Sequence, residues 1–339
     1  MNGKVEAHKH ARLTKGQGFP VFVRRGPALR LLAIVSLCCL GSAGCRREPS
    51  SASGPLPQRA YLWQREWTPP VVNAVTEIEE RMDGVVVLGG EVIWRSGAPE
   101  LRKATIDWGS LQQNRMSCAV AVRIAPFPGP FSGSDARADF IAGTVRSLVG
   151  EAAAHGVTLA ELQIDFDCAQ RNLPGYRLWL RRLREVVQPP VRLVITTLPA
   201  WLEEAEFRGL VGEVDGYVLQ VHSVPTRRES GRAELFDLVL AQRWVTKAAK
   251  LGKPFSVALP TYRCLAGYDA EGKLLGVYMD SVAPKWPAGT TTLEFAADAD
   301  AIADVVHGWE RARPRSRGAS LNPRRFRASL RYFSTRWFG

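Results

Sequence analysis

The chain has 339 residues and a net charge of +12, and 46% of it is apolar, which excludes a wholly disordered chain. The charge is uneven: residues 1–44 carry +6, the stretch from Arg311 onward holds nine arginines and no acid, and residues 45–310 carry −3. A mildly acidic body between two basic ends removes most of the case for a nucleic-acid-binding surface, and no nucleic-acid partner is expected.

At the start, Arg24, Arg25 and Arg30 precede the apolar run Leu31–Leu40. A basic stretch followed by about ten apolar residues is an export signal, too short to span a membrane. The run ends in Gly41-Ser42-Ala43-Gly44-Cys45. Small residues before a cysteine resemble the bacterial lipoprotein box. In that family the cysteine takes a diacylglycerol and becomes the new N-terminus. Ser42 stands where leucine is usual; ordinary signal cleavage with Cys45 incidental is the other reading. Residues 1–44 are therefore expected to be a signal peptide with an N-terminal extension, the first twenty reflecting a mis-called upstream start. Residues 45–58 are expected to be a lipidated cysteine and a flexible Pro/Ser/Gly-rich tether. The expected location is the bacterial envelope, with a membrane partner through the lipid anchor. Arg46 after the cysteine resembles the pattern sorted to an outer membrane.

From residue 59 on, short apolar runs alternate with amphipathic stretches. The runs are Ala60–Trp67, Gly84–Gly89, Cys118–Ala125, Glu161–Asp167, Val191–Thr197, Asp215–His222 and Phe255–Tyr262. Helical patterns occupy 71–82, 135–154, 174–187, 202–212 and 233–251, while 95–116 is irregular. Repeated strand-then-helix units predict parallel strands with right-handed crossovers, and their number and length predict a (β/α)8 barrel over 59–311. The rival doubly wound sheet lacks its Gly-rich loop: the first strand runs into Trp67-Thr68-Pro69-Pro70. Parity favours the barrel. Val120, Val122 and Ile124 oppose Ala119, Ala121 and Arg123; Leu162, Ile164 and Phe166 oppose Gln163, Asp165 and Asp167. Bulky side chains on one face and small or polar ones on the other suit a helix-covered barrel wall.

The inward polar positions fall at the C-terminal ends of the strands, where barrel active sites lie. They are Glu91, Arg123, Asp165, Asp167, Thr197, Gln220, His222 and Tyr262. Asp165 and Asp167 share a face about 6.6 Å apart. Such a pair suits acid/base or nucleophilic work on a glycosidic bond. It equally suits loop-holding carboxylates bonded to Arg123, or a divalent metal site completed by Glu91. The expected catalytic residues are Asp165 and Asp167. Glu91, Arg123, Gln220, His222 and Tyr262 are expected to bind substrate, and no cofactor or metal is assigned. Trp63, Trp67, Trp94, Trp108, Trp201 and Trp286 fall near strand ends and loops, where they can stack on sugars or fill the core. Cys118, Cys168 and Cys264 form no metal spacing and leave room for one disulfide of unspecified pairing.

The runs YLWQREW, GVVVLGGEVIW, LQIDFDC followed by Tyr176, VLQVHS and ALPTY resemble the bacterial domain-of-unknown-function family 3142, over about residues 60–310. The resemblance implies an architecture similar to glycoside-hydrolase barrels, some of which carry a D-x-D-x-E motif on the fourth strand. The place of its final Glu is Ala169 here. The implied function is hydrolysis or binding of a polysaccharide ligand. The alternative is a non-catalytic envelope protein whose cleft binds a glycan or a protein.

The C-terminal stretch departs from the resemblance. The eighth strand should follow a helix at 297–311, but residues 312–339 are basic, with no Val, Ile or acid. They read as an out-of-frame or disordered tail. If the tail is genuine, Thr290–Phe295 is the expected closing strand.

Overall fold

A computed structural model describes residues 56–222, 224, 227–228, 234–278, 285–296 and 302, and the backbone of 330–334. Eight parallel strands form a closed ring. In chain order they are β1 (Gln58–Leu62), β2 (Gly84–Arg95), β4 (Ser117–Ile124), β5 (Leu159–Phe166), β6 (Arg192–Thr197), β7 (Gly216–Gln220), β8 (Phe255–Thr261) and β12 (Leu330–Ser334). β12 lies between β8 and β1, pairing Leu330 with Val257 and with Gln58, and β1 pairs with β2. β3 (Ala98–Lys103) folds back antiparallel on the far end of β2. Ser96 and Gly97 make that turn, both at positive φ. Helices α1 (Pro69–Glu79), α2 (Trp108–Gln113), α3 (Ala136–Ala154), α4 (Leu173–Arg184), α5 (Ala205–Gly212) and α6 (Leu238–Ala249) connect the strands.

Local chemistry sets these boundaries. Asp135 caps α3, its carboxylate accepting from the backbone N–H groups of Arg137 and Ala138, and Asp237 caps α6 in the same way on Leu240. Gly156, at φ +72°, ends α3 in the left-handed conformation. The irregular stretch 95–116 holds the hairpin strand β3 and the short helix α2, too brief for a clear period.

The parity reading holds. Val120, Val122, Leu162, Ile164, Phe166, Leu219, Val257 and Leu259 pack in the large core that includes the helices. Tyr61, Val86, Ala119 and Ala121 cluster on the inner face, as do Val194, Val218 and Ala258. Removing an outward Leu or Phe to Ala in this core costs about 2–5 kcal/mol.

The C-terminal expectation is corrected. Thr290–Phe295 does not close the barrel: β11 (Thr291–Ala296) pairs antiparallel with β9 (Arg263–Tyr268), which also pairs with β10 (Leu274–Tyr278) in a separate sheet. The closing strand comes from the basic tail, so the ring extends past the expected boundary at 311. Five residues, Leu-Arg-Tyr-Phe-Ser, suffice because β1 beside them is equally short. Of the expected helix at 297–311, only Ile302 is described, helical and buried. The signal segment, Cys45 and most of the tether lie outside the described residues. No helix among the described residues is long and apolar enough to cross a membrane.

Candidate functional site

Three adjacent strands bring the first site residues into one row. Parallel pairing sets Glu91 beside Arg123, and Arg123 beside Asp165. Glu91 reaches the inner face through a register shift in β2 between Leu88 and Gly90. Gly89 sits at that shift, where a Cβ would lie 2.6 Å from Val120 and 2.8 Å from Leu148. A side chain is excluded there, and the bulge turns Glu91 inward. Glu91 accepts a 2.5 Å bond from Arg65 Nε.

Asp165 is largely shielded, its side chain 13% exposed. Thr196 on β6 donates from Oγ1 to Asp165 Oδ1 at 2.7 Å, and Arg123 Nε stands 3.9 Å from Oδ2. Burial raises the Asp165 pKa, Arg123 and the Thr196 bond oppose that rise, and the Glu91 charge adds to it. Thr197, named from the sequence, is not in the site. Its Oγ1 donates to the Val218 carbonyl at 3.1 Å within the wall. The adjacent threonine is the inward one, because Val194 two residues earlier is on the inner face.

Asp167 follows β5 on the same face and is exposed. Its pKa is raised to about 6, by burial first and by repulsion from Asp165 second, against Arg123 and a side-chain hydrogen bond with Gln220. Water at its open side weakens the burial contribution. Gln220 comes from the end of β7, which is separated from β5 by β6 alone.

His222 lies two residues beyond Gln220. Burial lowers its pKa to about 4, and Nδ1 is 3.4 Å from the Ala258 carbonyl. Its ring meets Tyr262 edge-on at 5.6 Å. A pKa lowered this far leaves the imidazole uncharged at neutral pH. Burial also raises the Tyr262 hydroxyl, with Cys264 and Asp167 adding to the effect.

Beneath this rim lies a polar ladder that the sequence reading missed. Tyr61 donates its hydroxyl to Gln163 Oε1 at 2.8 Å, and Gln163 Nε2 donates to Glu161 at 3.2 Å. Glu161, 2% exposed, meets Arg59 at 2.9 Å and Arg192 at 3.1 Å. Alternation along Glu161, Gln163 and Asp165 was the available signal. Of the six named tryptophans, Trp63 is on the inner face, stacked on Tyr61 at 5.3 Å and 3°. Trp94, Trp108 and Trp201 are structural, each donating its indole N–H to Ala125, Glu151 and Cys168 respectively. Trp67 packs on the core. The cysteines Cys118, Cys168 and Cys264 are free and buried, so the disulfide left open from the sequence is not formed. Among the described residues no three acidic, His or Cys side chains converge as metal ligands.

Residues 129–320 match the family model described as "Domain of unknown function (DUF3142)". The chain belongs to this family. A search of the curated proteins gives no match. Among solved structures, this DUF3142 chain is similar to the spore cortex-lytic enzyme SleL of Bacillus cereus. The TM-score is 0.55 at 13% identity, covering 84% of this chain and 71% of that one. SleL of Bacillus megaterium gives 0.53 at 12%, covering 84% and 72%. A chitinase from Chromobacterium violaceum gives 0.53 at 12%, covering 82% and 94%. At such identities the likeness is one of fold, a (β/α)8 barrel, and not of activity. In the DUF3142 chain, Ala169, two residues beyond Asp167, is exposed and carries no acid.

Proposed function

We propose that this protein hydrolyses a polysaccharide at the barrel mouth, using Asp165 and Asp167. The observation that carries the reading is the contrast between the two carboxyls. Asp167 is open to water with a pKa near 6, while Asp165 is shielded and held by Thr196 beside Arg123. Neighbouring carboxyls pushed into different environments divide acid and base roles. Asp167, protonated below about pH 6, gives its proton to the glycosidic oxygen as the C–O bond breaks. Asp165 takes a proton from the water that adds to the anomeric carbon. Glu91, Arg123, Gln220, His222 and Tyr262 line the mouth as substrate-binding groups. We also propose that Cys45 carries a lipid that tethers the domain in the cell envelope.

One observation favours a second reading. Ala169 stands where the D-x-D-x-E motif supplies its glutamate, so the cleft can hold a glycan without cleaving it. A glycan array followed by reducing-end release on every bound glycan separates the two. Release supports hydrolysis, and binding without release supports a non-catalytic cleft. An array with no bound glycan contradicts both.

A further inference from the structure

The sheet β10–β9–β11 leaves β8 at the C-terminal end of that strand, on the mouth side of the barrel. Its two faces differ. Cys264, Ala266, Tyr268 and Phe295 on one face pack with Leu235 and Tyr262. The other face centres on Gly267 and Gly276, which are cross-strand partners. The Trp286 indole lies over both. A Cβ on Gly267 would stand 2.7 Å from its ring, and one on Gly276 would stand 3.7 Å away. Paired glycines thus make a flat seat for an indole that is only partly buried.

Asp269 is two residues beyond Gly267, so it shares this face about 6.6 Å along the strand. Lys273 is opposite Asp269, whose N–H donates to the Lys273 carbonyl at 3.0 Å. Arg227 is opposite Lys273 across an antiparallel bridge. Cross-strand partners project to one side, so Lys273 and Arg227 join Trp286 on one face. Both cations are exposed, and neither has an ion-pair partner among the described residues. Asp269 forms no ion pair with either cation, its Oδ1 accepting instead from the backbone N–H of Glu271 at 3.1 Å and of Lys273 at 2.7 Å. Like charges directly opposite on a sheet are destabilising by themselves. A ring that stacks on indole and carries an anion satisfies both features.

We propose that this face is a subsite for an acidic sugar, with Trp286 stacking on the ring and Arg227 and Lys273 sharing its anionic group. The ligand class rests on the polysaccharide reading above; the subsite does not depend on Asp165 or Asp167 being catalytic. The test is titration of the full chain with hexagalacturonate and with neutral chitohexaose. It compares wild type, the double variant Arg227→Gln with Lys273→Gln, and Trp286→Ala. The expected result is tighter binding of the acidic hexamer. The double variant weakens it about tenfold, as does 1 M salt, and leaves chitohexaose binding unchanged. Trp286→Ala weakens the acidic hexamer as well. Equal binding of both hexamers by wild type, or an unaffected double variant, overturns the subsite while leaving the polysaccharide reading standing. Binding of neither hexamer overturns the subsite and, with an empty glycan array, that reading too. Vesicles of phosphatidylglycerol are the control for a lipid source of the anion. If they bind through Arg227 and Lys273 and the hexamer does not, the sugar assignment is wrong.

Discussion

Asp167→Asn gives a prediction whose sign follows from the site. The carboxyl rises from an ordinary 3.8 to about 6 in the folded chain. An acid raised by folding is most compatible with the fold when protonated. Its penalty is therefore absent below about pH 3.8, grows between there and about pH 6, and stays constant above. A fully shielded shift of that size would cost about 3 kcal/mol. Asp167 is exposed, so solvent screening cuts this to about 1 kcal/mol. Asparagine keeps the size and the hydrogen-bonding capacity and removes the charge. Asp167→Asn should therefore raise the melting temperature by about 2–4 °C at pH 7 and change it little at pH 4. Thermal unfolding of both chains at pH 4, 5, 6 and 7 is the assay. A variant that is less stable at pH 7, or a gain that is the same at every pH, refutes the reasoning.

Thr196→Val removes the donor to Asp165 and should destabilise by about 1–3 kcal/mol at pH 7. The loss should shrink as falling pH protonates Asp165, which denaturant titrations at pH 7 and pH 4 will read. Tyr61→Phe breaks the bond to Gln163 and should cost about 1 kcal/mol by the same measurement, with the fold retained. Cys45→Ala should abolish metabolic palmitate labelling; a wild type that takes no label contradicts the lipid anchor.

Strand parity was the most legible feature of the sequence. Ala119, Ala121 and Arg123 against Val120, Val122 and Ile124 already place one face inside and one against helices, and the inner clusters agree. Alternation could not settle Thr196 against Thr197. Both are small, polar and adjacent, and only the pairing of β6 with its neighbours decides which faces in. The bulge at Gly89 was equally hidden: two successive glycines show permissive backbone but not where the register slips. β12 was missed because Leu-Arg-Tyr-Phe-Ser has no β-branched Val or Ile and sits among arginines; its place is fixed by the open edges of β1 and β8. Three of the tryptophans followed packing over stacking. Trp94, Trp108 and Trp201 sit where an indole N–H finds an acceptor inside the protein.

The most direct test of the acidic pair is turnover of one polysaccharide by wild type, Asp165→Asn and Asp167→Asn, each checked for folding by circular dichroism and for binding of the same glycan. Wild type should release reducing ends. Both variants should remain folded and bind the glycan, with release lowered at least a hundredfold. Undiminished release by either folded variant would contradict the assignment of the pair, as would a wild type that binds the glycan and releases nothing.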